Sequence, residues 1–289
     1  MQNRRLGILH PGQMGSSVAA SAQNSGCEVY WVSEGRSAQT RARAERLGLR
    51  DAGSLARLCE ICPVLVSVCP PHASQEVAAS VAGCAFQGLY LDANAVSPRR
   101  ATEIGGIITT AGATFVDGGI IGPPAWEPDT TWLYLSGEEA RTAAACFAEG
   151  PLQAIVIGEE PGQASALKMC YAAWTKGSTA LLCAILATAG ELGVWEELRR
   201  QWARDWPGFD EQAVQRVRRV TAKAWRFSGE MDEISATFRE AGLPGDFHAA
   251  AATLYRQLAS FKDAPTLPSL TEVLSALVQA PDRDAESRE

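Results

Sequence analysis

Two glycines near the start of the chain, Gly12 and Gly15, have the spacing that lets a backbone approach a phosphate group closely. They follow a short apolar run, residues 6–9, and precede small residues that can begin a helix. The free N–H groups and partial positive charge of a helix N-terminus bind anions. This strand–turn–helix order therefore predicts a site for the pyrophosphate of a dinucleotide. The residues predicted to bind it are His10, Gly12, Gln13, Met14 and Gly15.

His10 is the departure from the usual form of this turn. A G-x-G-x-x-G fingerprint has a glycine where this chain has His10. We expect the pyrophosphate to bind the N–H groups around Gln13 and Met14, with the His10 ring turned away from it.

The type of dinucleotide depends on the residues that follow the second predicted strand, residues 27–32. Glu34 can accept hydrogen bonds from a ribose 2′-hydroxyl, which favours NAD. Arg36 and Ser37 can hold a 2′-phosphate, which favours NADP. We predict NADP, with NAD as the alternative, and Ser33 beside these residues in the cofactor site.

Two later loops follow apolar strands and are predicted to face the same cofactor. Cys69 and Pro70 follow the strand at residues 64–68, and Asn94 follows the strand at residues 88–92. Loops at the carboxyl ends of parallel strands lie over the ligand in such a fold. We expect Asn94 to hydrogen-bond the nicotinamide or the substrate.

Lys168 is the residue best suited to acid–base chemistry. It lies in the segment GQASALKMCYAAW, among small and apolar residues that favour the neutral amine. An amine there can give a proton to a carbonyl oxygen or take one from an alcohol. Lys176 follows eight residues later, about two helical turns, and is predicted to face the same way.

The elements that position these residues form two domains. Through residue 158 strands alternate with helices, which predicts an α/β fold with a Rossmann-type doubly wound, largely parallel sheet. Beyond that point the strand signals stop, and a long apolar helix over residues 163–192 begins an all-α C-terminal domain. We predict domains at 1–158 and 159–280, with a polar tail at 281–289.

Composition narrows the classes of partner. The 289 residues have a formal net charge of −7, which argues against nucleic acid or an anionic membrane surface as the main partner. The first five residues lead straight into a strand, so we expect no signal peptide and a cytoplasmic protein.

Three dispersed histidines predict no metal site. Cys59 and Cys62 form a C-x-x-C for which a redox pair or half a zinc site is the alternative to a plain helix end.

Four segments together resemble the β-hydroxyacid dehydrogenase superfamily, which includes the 6-phosphogluconate and 3-hydroxyisobutyrate dehydrogenases. LGILHPGQMG is similar to G-x-x-G-x-G-x-M-G, and LDANAVSP to D-x-S-T-x-x-P. VDGGIIGPP lies where that family has D-A-P-V-S-G-G, and GQASALKMCYAA resembles its lysine segment. WRFSGEMDEI and the following AGLP look like the helices of the branch with a DUF1932 domain. The positions kept are Gly7, Gly12, Met14, Gly15, Asp92, Pro98, Asp117, Gly122 and Lys168.

The resemblance implies an NAD(P)-dependent dehydrogenase or reductase with Lys168 as the catalytic residue. It also implies a homodimer formed through the helical domain. Ile121 replaces the family's serine that grips a substrate carboxylate, so a larger and more apolar substrate pocket that includes Trp126 is expected. The residues predicted to contact the substrate are Asn94, Ile121, Gly122, Tyr171, Trp174, Lys176 and Met231.

Three functions fit this pattern. The first is an NADP-dependent oxidoreductase that acts on a carbonyl or hydroxyl group of a small organic substrate. The second is an imine reductase, which the loss of the serine favours and the retained lysine disfavours. The third is a non-catalytic dinucleotide-binding protein, which His10 weakly favours.

Overall fold

The computed structural model describes residues 4–278 and divides the chain into two compact units. The first unit extends to Tyr171 and the second begins at Ala172. The boundary lies beyond the predicted one at residue 158, because the helix that follows is bonded to strands of the first unit. The predicted polar tail, 281–289, lies outside the described residues.

One eight-stranded sheet forms the centre of the first unit. The strand order is β3-β2-β1-β4-β5-β6-β7-β8, and every neighbouring pair is parallel except β6 and β7. The strands β2 and β3 are therefore added on one side of β1 and the strands from β4 onward on the other, as in a doubly wound fold. The strands are β1 Arg4–Ile8, β2 Cys27–Trp31, β3 Arg50–Asp51, β4 Val64–Ser67, β5 Leu89–Asp92, β6 Thr114–Ile121, β7 Thr131–Ser136 and β8 Leu152–Gly158.

Helices cover the sheet and leave its central strands buried. Strands β4 and β5 are almost wholly apolar, as expected for parallel strands buried on both faces. Two apolar clusters form, and β1 contributes Leu6 and Ile8 to one of them. The helices of this unit are α1 Gln13–Asn24, α2 Ala38–Arg46, α3 Leu55–Ile61, α4 Ser74–Gly83, α5 Pro98–Thr110, α6 Ala140–Ala144 and α7 Gln163–Ala172.

The second unit is helical throughout its described part. Its helices are α8 Ser178–Glu191, α9 Trp195–Asp205, α10 Phe209–Glu240, α11 Asp246–Gln257 and α12 Leu270–Val278. The prediction of a single regular helix over 163–192 was wrong, because a π-helical turn, Ala173–Gly177, separates α7 from α8. Arg216 and Tyr255 donate to the carbonyl groups of Thr175 and Lys176 in that turn, at 2.8 and 2.7 Å. These bonds satisfy carbonyl groups that a π turn displaces from the α-helical pattern.

Helix α10 continues through an interior glycine. Gly229 favours a break in a helix, but one helix of 32 residues spans Phe209–Glu240. A single interior glycine costs only about 1 kcal/mol relative to alanine. The packing of α10 against α11 outweighs that cost.

Two further sequence features have plain structural outcomes. Cys59 and Cys62 are buried, and burial raises the pKa of the Cys62 thiol to about 12. No helix among residues 4–278 has the length and apolarity needed to span a membrane.

Candidate functional site

The predicted phosphate-binding turn joins β1 to α1. Gly12 is the residue that precedes the helix, and the space around it is open. A Cβ atom at Gly15 would lie 2.1 Å from the carbonyl oxygen of His10, so only glycine allows the helix to begin this close to the strand. The first N–H groups of a helix have no partner within it. Those of Gln13, Met14 and Gly15 are therefore donors suited to an anion.

A cavity of about 370 Å³ lies beside this turn. His10 and Arg36 line it from the ends of β1 and β2, together with Glu34, and Glu76 lines it from α4. The His10 Nδ1 and Arg36 Nε atoms are buried and have no hydrogen-bond partner among the described residues. Burial, reinforced by the charge of Arg36, lowers the pKa of His10 to about 4. The cavity that these two residues line is large enough for part of a ligand.

The other predicted cofactor residues after β2 are held by local hydrogen bonds. The Ser33 N–H donates to Asp51 Oδ1 at 3.2 Å, which fixes the segment against the end of β3. Ser37 caps α2, because its Oγ accepts from the Thr40 N–H at 3.3 Å. Ser33, Arg36 and Ser37 therefore stand between the end of a strand and the start of a helix, as predicted from the sequence.

Asn94 joins the loops after β4 and β5. Its Nδ2 donates to Ser67 Oγ at 3.0 Å and to Asp92 Oδ2 at 2.9 Å, and its Oδ1 accepts from the Cys69 N–H at 2.5 Å. The residue is only 2% exposed. These contacts give Asn94 a positioning role at the sheet edge, and the predicted bond to nicotinamide or substrate stays a prediction.

Cys69 and Pro70 form the loop that Asn94 holds. Pro70 directly precedes a short 3₁₀ turn, Pro71–Ala73, which stiffens the chain after the loop. Burial raises the pKa of the Cys69 thiol to about 12, so this cysteine is not poised as a nucleophile.

Asp92 is the least expected member of this edge. It is 1% exposed, and burial raises the pKa of its carboxyl group to about 7. Two hydrogen bonds from Asn94 oppose that rise, and Asp117 adds to it. Asp92 and Asp117 are register partners on the adjacent strands β5 and β6, so two buried carboxyl groups lie side by side.

Asp117 ties the start of α7 to the sheet. Its Oδ2 accepts from the N–H groups of Gly162 and Ser165, both at 2.9 Å, and its Oδ1 accepts from Ser165 Oγ at 2.6 Å. Ser136 on β7 adds a further link, because its Oγ donates to Asp117 and accepts from the Ala164 N–H. A carboxylate at a helix N-terminus is also favourable electrostatically.

Lys168 lies one turn beyond these bonds. It is half-buried and packs closely on Gly119 of β6. If Gly119 carried a Cβ atom, that atom would lie 3.0 Å from the Cβ atom of Lys168 and 2.7 Å from the Ala164 carbonyl oxygen. Gly119 therefore lets α7 pack directly on β6, and the bonds to Asp117 fix the position of Lys168 along the strand.

Two predicted substrate residues follow Gly119 at the end of β6. Ile121 is 6% exposed and is the register partner of Trp132 on β7. Gly122 has a φ angle of +129°, and a Cβ atom there would lie 2.3 Å from the Thr130 carbonyl oxygen. The turn between β6 and β7 thus requires glycine for its own geometry. Substrate contact by either residue stays a prediction.

The remaining predicted substrate residues have different surroundings. Tyr171 and Trp174 are exposed, Trp174 by 73%. Met231 is fully buried in the helical unit. Lys176 Nζ is 2.8 Å from Glu230 and lies over the Phe227 ring. Met231 and Lys176 therefore have structural roles in their own unit, and contact with substrate stays a prediction for both.

Trp126 borders a second cavity, of about 500 Å³, with Gln13, Ser16, Pro124 and residues of α2. Its expected place in a substrate pocket stays a prediction. The loop that carries it is held to α1, because the Ala125 N–H donates to Ser17 Oγ at 2.9 Å. This long-range bond gave no signal in the sequence.

The sequence motifs include Asp92 and Asp117, but no role for either residue was predicted from them. A signal was present, because each is the one charged residue in an otherwise apolar or glycine-rich strand. Ser67, Ser136 and Ser165 were missed altogether. Single serines in apolar segments are too common to indicate a shared network.

Comparisons with known protein families agree with this arrangement. The profile of the NAD binding domain of 6-phosphogluconate dehydrogenase matches residues 5–145, and that of the domain of unknown function DUF1932 matches residues 189–258. An uncharacterized 28.5 kDa protein of Methanothermus fervidus is 29% identical over 195 residues, 67% of this chain and 74% of that protein.

Two solved structures share the fold. The 3-hydroxyisobutyrate dehydrogenase of Mycobacterium tuberculosis, solved with L-serine, has a TM-score of 0.71 at 15% identity, covering 96% of this chain and 100% of that one. A variant of the imine reductase of Myxococcus stipitatus, solved with NAD+, has a TM-score of 0.55 at 17% identity, covering 96% and 100%. The chain thus carries an NAD binding domain of the 6-phosphogluconate dehydrogenase type followed by a DUF1932 domain, and it is an NAD(P)-dependent oxidoreductase.

Proposed function

We propose that this protein is an NADP-dependent oxidoreductase that transfers hydride between the nicotinamide and a carbonyl or hydroxyl group of a small organic substrate. Lys168 is the general acid or base. The observation that carries the proposal is the position of Lys168, half-buried one turn beyond the Asp117 anchor and packed beside Gly119. A lysine whose backbone is fixed beside the carboxyl end of β6 can bring its amine to a bound substrate for proton transfer.

The first unit has the features that the cofactor requires. The open space at Gly12 and the outward N–H groups of α1 suit a pyrophosphate. His10 and Arg36 line a cavity at the end of β2, where an adenosine ribose binds in this fold. We assign NADP rather than NAD because the cationic Arg36 is among the residues that line this cavity. When bound, the nicotinamide supplies the hydride chemistry.

The residues of the chain supply placement and a proton. Asp117 and Ser136 hold the first turn of α7, and this fixes the base of the Lys168 side chain. Asn94 holds the loops after β4 and β5 at a constant spacing. Such pre-ordered placement lowers the entropy cost of bringing a proton donor to a substrate.

The apolar side chain at Ile121 favours a substrate without a carboxylate at that point. The same feature supports imine reduction as the second candidate function, and the imine reductase of Myxococcus stipitatus shares the fold. A panel of cyclic imines and of 2- and 3-oxo acids, followed by the consumption of NADPH, distinguishes the two. Turnover of imines alone would replace the first candidate by the second.

Replacement of Lys168 tests the mechanism. On a carbonyl substrate found with the panel, we expect Lys168→Ala to lower kcat by roughly 10²- to 10⁴-fold, the usual contribution of a general acid or base. The affinity for NADPH, measured by fluorescence, should be unchanged. Lys223→Ala removes an exposed lysine of α10 and is the matched control. Full turnover by the Lys168 variant would rule out this role.

We also propose a cytoplasmic homodimer. Leu167, Tyr171, Trp174 and Leu181 are exposed apolar or aromatic residues on α7, the π turn and α8. Exposed side chains of this kind are typical of protein interfaces. Sedimentation velocity should give twice the chain mass of 30.8 kDa, and a monomer at micromolar concentration would contradict the proposal.

A further inference from the structure

The cavity of about 500 Å³ that Trp126 borders is not used by the proposed reaction. Its volume lies within the range of pockets that bind small organic ligands. The lining comes from the first turn of α1, from α2 and its end, and from the loop between β6 and β7. It includes Gln13, Arg43, Arg46, Leu47, Pro124 and Trp126.

The charge of this lining is positive. Arg43 and Arg46 line the cavity, and no carboxylate among the residues that the structure describes lines it with them. The chain as a whole has a formal net charge of −7, so the local excess is opposite in sign to that of the protein. Arg46 Nε donates to the Ala42 carbonyl oxygen at 3.4 Å, whereas the half-buried Arg43 guanidinium makes no hydrogen bond or ion pair within residues 4–278. Arginine binds carboxylate and phosphate groups through two nitrogen atoms at once, so this lining favours an anion.

The rest of the lining is suited to a ring. The Trp126 side chain is 50% exposed, which leaves much of the indole open to contact. Leu47 and Pro124 are half-buried and add apolar surface. Flat rings pack on an indole in offset or edge-to-face arrangements. The lining therefore combines an anion-binding part with an aromatic part.

Hydrogen bonds hold the three walls of this cavity together. The Ala125 N–H donates to Ser17 Oγ at 2.9 Å, which holds the loop that carries Trp126 against α1. Gln23 Nε2 donates to the Leu47 carbonyl oxygen at 2.9 Å, which holds the end of α2 against the same helix. A ligand would therefore meet a cavity that is already formed, and little ordering of the protein would oppose its binding.

The cavity and Lys168 lie on opposite faces of the sheet. Gly119 of β6 packs on α7 beside Lys168. The next residue, Ile120, belongs to the apolar cluster that contains Ala19 of α1 and Ala44 of α2. Successive residues of a strand point to opposite faces of a sheet. The cavity bounded by α1 and α2 is therefore separate from the place proposed for proton transfer.

We propose that this cavity is a second ligand site, which binds a flat aromatic or heteroaromatic molecule that carries a carboxylate or phosphate group. Arg43 and Arg46 bind the anionic group, and Trp126 packs on the ring. Aryl carboxylates and mononucleotides share this chemistry, and the experiment below distinguishes them. The site requires neither the proposed cofactor nor Lys168, so a failure of the proposed function leaves it intact.

Calorimetry with matched probes tests the chemistry of the site. The charged probes are 1-naphthoate and uridine 5′-monophosphate, and their uncharged counterparts are 1-naphthamide and uridine. Each is titrated into the wild-type protein with and without saturating NADPH, which keeps a nucleotide probe out of the cofactor site. We expect at least one charged probe to bind in both conditions, and its uncharged counterpart to bind roughly 10- to 100-fold more weakly, the range for hydrogen bonds to a charged group.

Variants of the lining place the bound probe in this cavity. Arg43→Ala should weaken its binding roughly 10- to 100-fold, and Arg43→Lys by less, because the ammonium keeps the charge without the paired nitrogen atoms. Trp126→Ala should weaken it roughly 2- to 10-fold through loss of the aromatic contact. Arg204→Ala, which removes an exposed arginine of α9, is the matched control and should leave the affinity unchanged. Thermal unfolding of each unliganded variant confirms that it is folded.

The outcomes decide both the existence of the site and its class of ligand. Selective binding of 1-naphthoate supports an aryl carboxylate, and selective binding of uridine 5′-monophosphate supports a mononucleotide. Binding of neither probe to the wild-type protein, or binding that Arg43→Ala leaves unchanged, would overturn the site. Displacement of the probe by NADPH would also overturn it, because the probe would then occupy the cofactor site. Failure of NADPH itself to bind would contradict the proposed function alone.

Discussion

Two polar regions lie along the carboxyl edge of the same sheet, and their hydrogen bonding differs. In the network around β5 and β6, Asn94 uses both of its N–H donors and its oxygen, and Asp117 accepts four hydrogen bonds. At the ends of β1 and β2, His10 and Arg36 each bury a nitrogen atom that has no partner among residues 4–278. The side chains of Asn94 and Asp117 are thus bonded within the chain, whereas those two nitrogen atoms are not.

This contrast separates framework from ligand contacts. A buried group whose partners all come from the protein holds segments of the chain in place. A buried group without partners costs free energy that a ligand or a bound water molecule can recover. We therefore interpret Asn94 and Asp117 as positioning residues, and binding of the cofactor by His10 and Arg36 stays a prediction. This network costs free energy because it buries two ionisable carboxyl groups, those of Asp92 and Asp117, on adjacent strands.

Asp92 gives the larger expected effect on stability. Its folded-state pKa of about 7 is above the ordinary value of 3.8, so the folded protein retains a proton that the unfolded chain has lost. This contribution is fully present below pH 4 and is lost as the pH rises through 7. We expect the unfolding free energy of wild-type protein to fall over that range by up to roughly 4 kcal/mol relative to Asp92→Asn, as measured by urea denaturation.

The comparison with the variant is needed because other groups act in the opposite direction. Burial lowers the pKa of His10 and of His248, so these residues favour the folded state increasingly as the pH rises toward 6.5. Asp92→Asn keeps those contributions and gives up one acceptor for Asn94 at every pH. Equal pH dependence in the two proteins would show that Asp92 is ionised in the folded state at pH 5. Asp92 would then make no contribution to stability that is lost as the pH rises.

The sequence contained enough to predict the fold because its signals were local. A glycine turn after an apolar run, and alternation of strands with helices, each depend on neighbours in the chain. The helical breaks were harder to predict. The π turn depends on Arg216 and Tyr255, which are about 40 and 80 residues away and donate to its carbonyl groups.

The sequence predicted that candidate residues share one edge of the sheet, but it did not predict how their side chains are hydrogen-bonded. The ends of adjacent parallel strands bring His10, Arg36 and Asn94 to one edge, as the motif spacing indicates. Whether each side chain is already paired depends on residues such as Ser67 and Leu9, which carry no distinguishing pattern. The sequence therefore predicted a ligand contact for Asn94 without indicating its three hydrogen bonds within the protein, and that contact stays a prediction.

A smaller effect tests whether Asp117 acts as a framework residue. Asp117→Asn removes the charge and one acceptor oxygen at the start of α7, so at least one donor there loses its partner. We expect a loss of about 2 kcal/mol in unfolding free energy, since a lost partner for a buried donor costs about 1–3 kcal/mol. Hydrogen exchange of the backbone amides at residues 163–172 should become roughly 10- to 30-fold faster, because this turn opens first.

The same variant separates positioning from recognition. If Asp117 acts only through α7, the variant should lower kcat through displacement of Lys168 while the affinity for NADPH stays constant. Asp205→Asn, an exposed replacement on α9, is the control for loss of a negative charge. Unchanged exchange in α7 would show that packing against Gly119 alone holds the helix. In that case the bonded network would serve the sheet edge, and the position of Lys168 would follow from backbone contact rather than from hydrogen bonding.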